Sequence, residues 1–210
     1  MQILGKRNIR PKRQICHACC AIIVHGKSEK TIAEYVKSNL RLKMEIISKD
    51  KGEKSIQINV LNKFLQQREF SNLKTFADKY DIAYNCSQKC LENFRLFIVM
   101  DTDDCTPDMR EKYISGEMFK QSVLADYICP IYDSPDLEEV MLKAGYMKER
   151  ISDKEKDPFY SKLFPICHDG NEGTIREIEA FASKMRSIKN TNLEILLEYC
   201  LEQAGKNKIK

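Results

Sequence analysis

The stretch AIIVHGKSEKTIAEYV, residues 21–36, changes its pattern at a single turn. Its first four residues are apolar, which is typical of a short buried strand. After His25 and Gly26 the apolar residues recur at helical spacing, and Ser28 is a good residue to cap a new helix. The stretch therefore predicts a strand that ends in a tight glycine turn and leads into a helix.

The rest of the chain continues this alternation of strands and helices. Short apolar runs predict further strands at 44–48, 95–100 and 126–132. Apolar spacing and capping residues predict helices at 57–67, 73–80, 174–188 and 192–203, with further helix starts at Thr106-Pro107 and Ser134-Pro135-Asp136. The pattern predicts an α/β, Rossmann-like fold with a mainly parallel sheet flanked by helices, and extra helices near the C-terminal end.

The length of 210 residues suits one domain with appendages. Residues 1–14 are basic and patternless, which predicts a flexible tail. We expect residues 15–145 to form the α/β domain. Residues 146–210 are expected to pack on the same domain, with a loop-like stretch at 146–170 followed by a helical cover. The net charge of +4 is compatible with a nucleic-acid partner.

Nine cysteines occur at irregular spacing, and we find neither a signal-peptide core nor an apolar run of membrane-spanning length. These features predict a cytoplasmic protein with free thiols and no membrane partner. The group Cys16-His17-x-Cys19-Cys20 contains zinc-binding residue types, but four ligands within five residues do not easily form a tetrahedral site.

Two predicted strands end beside charged residues. Asp101, Asp103 and Asp104 follow the strand at 95–100, and Glu29 follows the first turn. The carboxyl ends of parallel strands meet at one edge of a sheet, and clustered carboxylates need a cation such as Mg²⁺ or Mn²⁺. If the chain stays extended, Asp101 and Asp103 point to the same side and reach one ion. Alternatively, these acids cap and solvate a loop before the next helix.

The order of these motifs resembles the Toprim fold of topoisomerases, primases and related nucleases. The shared features are a strand followed by Gly-x-Ser-Glu at a helix start, and a later strand ending in Asp-x-Asp. The segment YICPIYDSPDLEEVMLKAGY, residues 127–146, is similar to small standalone Toprim proteins of the RloB-like type. These proteins are relatives of the overcoming-lysogenization-defect nucleases and are associated with defence against phage. The resemblance covers roughly residues 17–145.

The resemblance implies a metal-dependent nuclease that cleaves phosphodiester bonds of DNA or RNA with Mg²⁺ or Mn²⁺. By position it makes Glu29, Asp101 and Asp103 metal ligands, with Asp104 and Glu138 as further acidic candidates.

One position departs from the family pattern, because His25 stands where a glutamate usually precedes the glycine. A histidine is able to transfer a proton or bind Mn²⁺, or the change marks an inactive site. Gly26, Lys27 and Ser28 at the helix N-terminus are candidates to bind a phosphate.

Two further candidates lie in the stretch that we expect to be loop-like. Lys162 lies between aromatic residues and is a candidate to neutralise a scissile phosphate. His168-Asp169-Gly170 is either a base with its orienting acid or, more simply, a turn.

Two other functions remain open. A phosphatase of the haloacid dehalogenase type would use Asp101 as nucleophile and Asp103 as general acid, although the motif lies in the middle of the chain and no later strand was found to end in paired aspartates. A non-catalytic Toprim-like module would work with a partner such as an ATPase or another defence-system subunit. On that hypothesis the C-terminal helices form a docking surface or a homodimer interface.

Overall fold

The structure is a computed structural model that describes residues 17–167 and 172–208. The predicted tail at 1–14 and the motif His168-Asp169-Gly170 lie outside these residues. The strands are β1 (Cys20–Val24), β2 (Met44–Ile47), β3 (Tyr84–Asn85), β4 (Cys90–Leu91), β5 (Arg95–Asp101) and β6 (Ile128–Asp133). The helices are α1 (Lys27–Asn39), α2 (Ile58–Leu65), α3 (Leu73–Tyr80), α4 (Pro107–Ile114), α5 (Leu137–Lys143), α6 (Asp153–Leu163), α7 (Glu172–Arg186) and α8 (Leu193–Lys208).

Four strands form one parallel sheet in the order β2-β1-β5-β6. Helices flank this sheet, so the prediction of an α/β fold with a parallel sheet is confirmed. All residues of β1 and nearly all of β5 are buried, as expected for parallel strands that are covered on both faces. The sequence analysis did not predict the small antiparallel hairpin of β3 and β4.

The side chains of the sheet alternate between two apolar cores. On one face, which we call the α1 face, residues such as Ile22 and Val99 share a core with α1, α5, α6, α7 and α8. On the other, the α4 face, residues such as Ile23 and Ile98 share a core with α2, α3 and α4. The protein is therefore a three-layer sandwich, and the helices after residue 146 belong to one outer layer.

The edge strand β6 is covered by the connection between α7 and α8. The Asn192 side chain accepts a hydrogen bond from Tyr132 N at 2.8 Å and donates one to the Pro130 carbonyl oxygen at 3.0 Å. The Asn190 side chain donates to the Ser134 carbonyl oxygen at 2.7 Å. These bonds satisfy part of an exposed sheet edge and hold the C-terminal helix pair against β6.

The prediction that residues 146–170 are loop-like is wrong, because α6 lies in this stretch. Ser152 and Glu155 form a capping box, in which Ser152 N donates to Glu155 Oε2 at 3.0 Å. Pro158 lies inside the helix and the segment is strongly charged, which together hide the helical pattern. The aromatic ring of Phe164, at the end of α6, packs on Tyr35 of α1.

None of the helices in the described ranges is long and apolar enough to cross a membrane. The cysteines of these ranges are free thiols, with Cys20 and Cys200 buried.

A buried tyrosine joins α4 to two strands. The Tyr113 hydroxyl lies 2.6 Å from the Ile98 carbonyl oxygen and 2.8 Å from that of Ile131. We expect Tyr113→Phe to lower the free energy of unfolding by about 1–2 kcal/mol, because the variant loses this buried hydrogen bond. Urea unfolding followed by circular dichroism measures the change.

Tyr160→Phe is the matched control for this experiment. Tyr160 is equally buried, but its hydroxyl has no hydrogen-bond partner among the described residues. Its removal should therefore leave the free energy of unfolding unchanged or raise it, because no hydrogen bond is lost. Equal losses in the two variants would contradict the assigned role of the Tyr113 hydroxyl.

Candidate acidic site at the carboxyl edge of the sheet

Four buried carboxylates lie at the carboxyl edge of the sheet on its α1 face. We call Glu29, Asp101, Asp133 and Glu138 the acidic cluster. Their exposed fractions are 6%, 8%, 0% and 7% respectively. Ionised carboxylates are rarely buried unless they are paired or bind a metal, so this cluster is the strongest candidate for a functional site.

Asp101 and Asp133 end the neighbouring strands β5 and β6. They are paired in the register of the sheet, so both side chains project towards the α1 face. Asp101 Oδ1 accepts a hydrogen bond from Leu137 N at 3.1 Å. Burial, together with the charges of Glu29 and Asp133, raises the pKa of Asp101 well above its usual range.

Glu29 comes from the first turn of α1 and has a structural contact as well. Its Oε2 atom accepts a hydrogen bond from Gly26 N at 2.8 Å. Gly26 is the N-cap, two residues before the Ser28 cap that the sequence suggested. The Gly26 backbone is extended, with φ −149° and ψ −154°, so no positive φ requires a glycine here. Burial raises the pKa of Glu29, while His25 partly opposes the shift.

Two donors of the predicted phosphate-binding turn are occupied within the chain. The Gly26 N–H group binds Glu29. The Lys27 ammonium group pairs with Asp157 of α6 and lies 3.4 Å from Glu53. Ser28 is only half-buried in the first turn of α1. Phosphate binding by these residues stays a prediction.

His25 directly follows β1 and lies beside the acidic cluster, as predicted. Its Nε2 atom is 3.8 Å from Asp101 Oδ2, which is too far for a hydrogen bond. Its Nδ1 atom is buried and has no hydrogen-bond partner within 17–167 and 172–208. The imidazole is thus placed to exchange a proton close to Asp101.

Asp103 and Asp104, the two acids that follow Asp101, are less buried than Asp101 and lie in a turn. The extended segment that would align Asp103 with Asp101 is not formed, because the chain turns at 102–104. Asp103 is exposed, although its charge contributes to the raised pKa of Asp101. Asp104 is half-buried, and burial raises its pKa while His25 opposes the shift.

A different lysine from the predicted one contacts the cluster. Lys162 was expected in a loop, but it is exposed in the last turn of α6. Lys156, earlier in the same helix, places its Nζ atom 3.1 Å from Glu138 Oε1 and 3.1 Å from Asp153 Oδ1. Lys156 was not predicted to be a site residue, because the stretch that contains α6 was predicted to be loop-like. The capping box at Ser152 was the signal that could have revealed the helix.

Asp133 and Tyr160 were also not among the site residues predicted from the sequence. Asp133 directly follows the predicted strand at 126–132, so the rule that selected Asp101 could have found it. Burial raises the pKa of Asp133 to about 7. Tyr160 gave no such signal, because its place depends on how α6 packs.

The cluster fits a hard divalent cation by its chemistry. Carboxylate oxygens are the ligands that Mg²⁺ and Mn²⁺ prefer, and both Asp133 oxygens lack a hydrogen-bond partner in the described part of the chain. The side chains do not form a complete ligand set, since no three His, Cys, Asp or Glu of the described residues are arranged to hold a metal. Binding would therefore require some of these carboxylates to reorient.

Comparison with protein-family models, with curated proteins and with solved structures finds no match for this chain. The Toprim resemblance therefore rests on the motifs alone and stays a prediction.

Proposed function

We propose that the protein is a divalent-cation-dependent phosphodiesterase that acts on nucleic acid, with the acidic cluster as its centre. The observation that supports this proposal best is the burial of Glu29, Asp101, Asp133 and Glu138 together at one edge of a parallel sheet. Burying like charges side by side destabilises a fold unless a cation offsets them. Such an arrangement is typical of a cation-binding catalytic site.

The charge of the cluster favours a cation over a bare phosphate group. Negative carboxylates repel a phosphate, so a phosphate ester approaches them only with a cation between. On this proposal Glu29, Asp101 and Glu138 hold Mg²⁺ or Mn²⁺. When bound, the ion would polarise the phosphoryl group and supply a nucleophilic water at neutral pH.

The basic side chains at the cluster have separate roles in this proposal. His25, beside Asp101, takes the proton of the attacking water or returns one to the leaving oxygen. Lys156 holds Glu138 through its ion pair and offsets part of the negative charge. His25 thus performs the proton transfer that the resemblance assigns to a glutamate.

A nucleic-acid substrate is favoured by two observations. The motif order is the Toprim-like one, and the net charge of +4 suits a polyanion. The cavity that Glu29 and Asp133 border has a volume of about 10 Å³, room for about one water molecule. This cavity is too small for a phosphate ester of either kind, so a substrate would approach the cluster from outside it.

A cleavage assay tests the proposal. Plasmid DNA, single-stranded DNA, total tRNA and a small phosphomonoester are incubated with Mg²⁺ or Mn²⁺. We expect nucleic-acid cleavage that falls by roughly 10- to 100-fold or more in Asp101→Asn and Glu138→Gln, because each variant loses a cation ligand. The substrate that is cut identifies DNA or RNA.

Glu202→Gln is the matched control for these variants. Glu202 is exposed on α8 and pairs with Lys206. The nearby Tyr199 of α8 contacts the amino end of the sheet, opposite the carboxyl end that carries the acidic cluster: its hydroxyl donates to the Cys19 carbonyl oxygen at 2.8 Å. This variant should cleave like the wild type. Release of phosphate from the monoester alone would favour the phosphatase, and intact substrates together with a co-purifying partner would favour the non-catalytic module.

A further inference from the structure

Asp133 is the most deeply buried member of the acidic cluster. It is fully inaccessible to solvent, and neither carboxylate oxygen has a hydrogen-bond partner in the described part of the chain. Asp133 and Thr191 form an isolated antiparallel backbone bridge, and the Thr191 side chain lowers the pKa of Asp133. The two side chains nevertheless do not reach normal hydrogen-bond geometry. A buried carboxylate without partners is among the most unfavourable groups in a protein interior. A bound ligand would stabilise it.

A second buried polar group points to the same place. The Tyr160 hydroxyl is buried and has no hydrogen-bond partner in 17–167 and 172–208. It interacts electrostatically with all four members of the acidic cluster, so it lies near them although it comes from a different element. Two independent elements, β6 and α6, thus contribute buried, unpaired oxygen atoms in the neighbourhood of the cluster.

A cation explains this arrangement better than another hydrogen-bonding side chain. Carboxylate and hydroxyl oxygens all offer lone pairs to a hard cation. The cavity beside Glu29 and Asp133 accommodates about one water molecule, so a buried water bound to Asp133 is the competing explanation.

We propose that Asp133 is a further ligand of the divalent cation, beside Glu29, Asp101 and Glu138, in the site that these carboxylates form once they reorient around the ion. The inference rests on the proposed function for the presence of that cation. It assigns Asp133 the place that the motif pattern assigns to Asp103. Asp103 lies in an exposed turn, where its carboxylate is already hydrated and has less to gain from a cation.

Mn²⁺ binding tests this assignment without any need for activity. The free Mn²⁺ ion is counted by electron paramagnetic resonance during titration of wild type, Asp133→Asn, Asp103→Asn and the Glu202→Gln control. We expect Asp133→Asn to weaken binding by at least about tenfold, and the two other variants to remain within about threefold of wild type. Wild-type affinity in Asp133→Asn would overturn the assignment and leave the buried water as the partner of Asp133.

Terbium luminescence locates the bound ion. The chain has no tryptophan, so tyrosines are the donors that excite bound Tb³⁺, and Tyr160 lies within the cluster. We expect Tyr160→Phe to bind Tb³⁺ with most of the sensitised emission lost, and Asp133→Asn to bind it more weakly. Emission that remains in Tyr160→Phe comes from other tyrosines, such as Tyr113, which also interacts electrostatically with Asp133 and Asp101. The Tb³⁺ affinity of Asp133→Asn therefore decides, and an unchanged affinity would overturn the proposal. Near-ultraviolet circular dichroism in EDTA establishes that each variant is folded.

The binding and cleavage experiments separate the two proposals. Mn²⁺ binding that depends on Asp133, without cleavage of any substrate, would support the cation site and overturn the phosphodiesterase. Cleavage by a protein whose Mn²⁺ affinity is unchanged in Asp133→Asn would overturn only the ligand assignment. A wild-type chain that binds no Mn²⁺ would overturn both.

Discussion

Asp101→Asn should make the cation-free protein more stable while it abolishes the proposed activity. In EDTA at pH 8, we expect the free energy of unfolding to rise by roughly 1–3 kcal/mol, the size of removing a buried unpaired charge. Asparagine keeps the shape of the side chain, and its carbonyl oxygen still accepts the hydrogen bond from Leu137 N. The gain comes from removing a charge that burial disfavours and that Glu29, Asp133 and Glu138 repel, the causes that raise the pKa of Asp101.

Urea unfolding monitored by circular dichroism measures this change. Asp103→Asn is the control, because this acid is exposed and its replacement should change stability by less than about 0.5 kcal/mol. If Mn²⁺ binds the cluster, its addition should stabilise wild type more than Asp101→Asn and reverse their order. A less stable Asp101→Asn protein in EDTA would mean that the carboxylate is a structural group that the fold needs in its charged form.

Stability should also fall as the pH rises from about 4 to about 7 in EDTA. Burial raises the pKa of Asp133 to about 7, whereas an aspartate in the unfolded chain titrates near pH 4. Between these values the unfolded chain has released the proton that the folded protein still holds, so raising the pH favours unfolding. The slope is at most about 1.4 kcal/mol per pH unit for one group, and the total for Asp133 is roughly 4 kcal/mol.

The pKa values of Glu29 and Asp101 are raised as well, so they act in the same direction. Above about pH 7 Asp133 is charged in both states and contributes no further change. Urea unfolding at intervals of half a pH unit gives the profile. Asp133→Asn should make it less steep between about pH 4 and pH 7, because only the contribution of Asp133 is removed.

Asp81→Asn provides the contrasting variant. Lys43 and His17 lower the pKa of Asp81, so its contribution is lost only as the pH falls through the acidic range, and its replacement should leave the slope between pH 4 and pH 7 in place. A wild-type profile that is flat or rises over this interval would show that Asp133 is charged in the folded protein.

Much of the local structure follows from short-range signals in the sequence. Thr106 was expected to cap a helix with Pro107 at its first position, and Thr106 Oγ1 accepts a hydrogen bond from Met109 N at 3.3 Å. The helix expected after Ser134-Pro135-Asp136 begins with the Asp136 side chain accepting from Glu139 N at 2.8 Å. These elements were predictable because caps and apolar periodicity act over one or two turns.

The same short range explains the errors. The segment at 146–170 carries a capping box, but its charges and Pro158 mask the helix that tertiary packing stabilises. The extended path expected from Asp101 to Asp103 does not form, because the chain turns immediately after β5. This turn depends on a neighbouring strand, because Thr102 N donates to the Asp133 carbonyl oxygen at 3.0 Å. Local sequence propensity does not predict a turn of this kind.

The sequence by itself determined the α/β class, the order of the strands along the chain and the placing of His25, Glu29 and Asp101 near strand ends. Only the tertiary structure decided which side chains meet there. Asp133 lies beside Asp101 because β6 pairs with β5 in parallel register. Lys156 meets Glu138 because α6 packs against α1 on the same face of the sheet. Hydrophobic patterns specify which face of an element is buried, whereas the contacts between distant polar groups depend on how all the elements pack together.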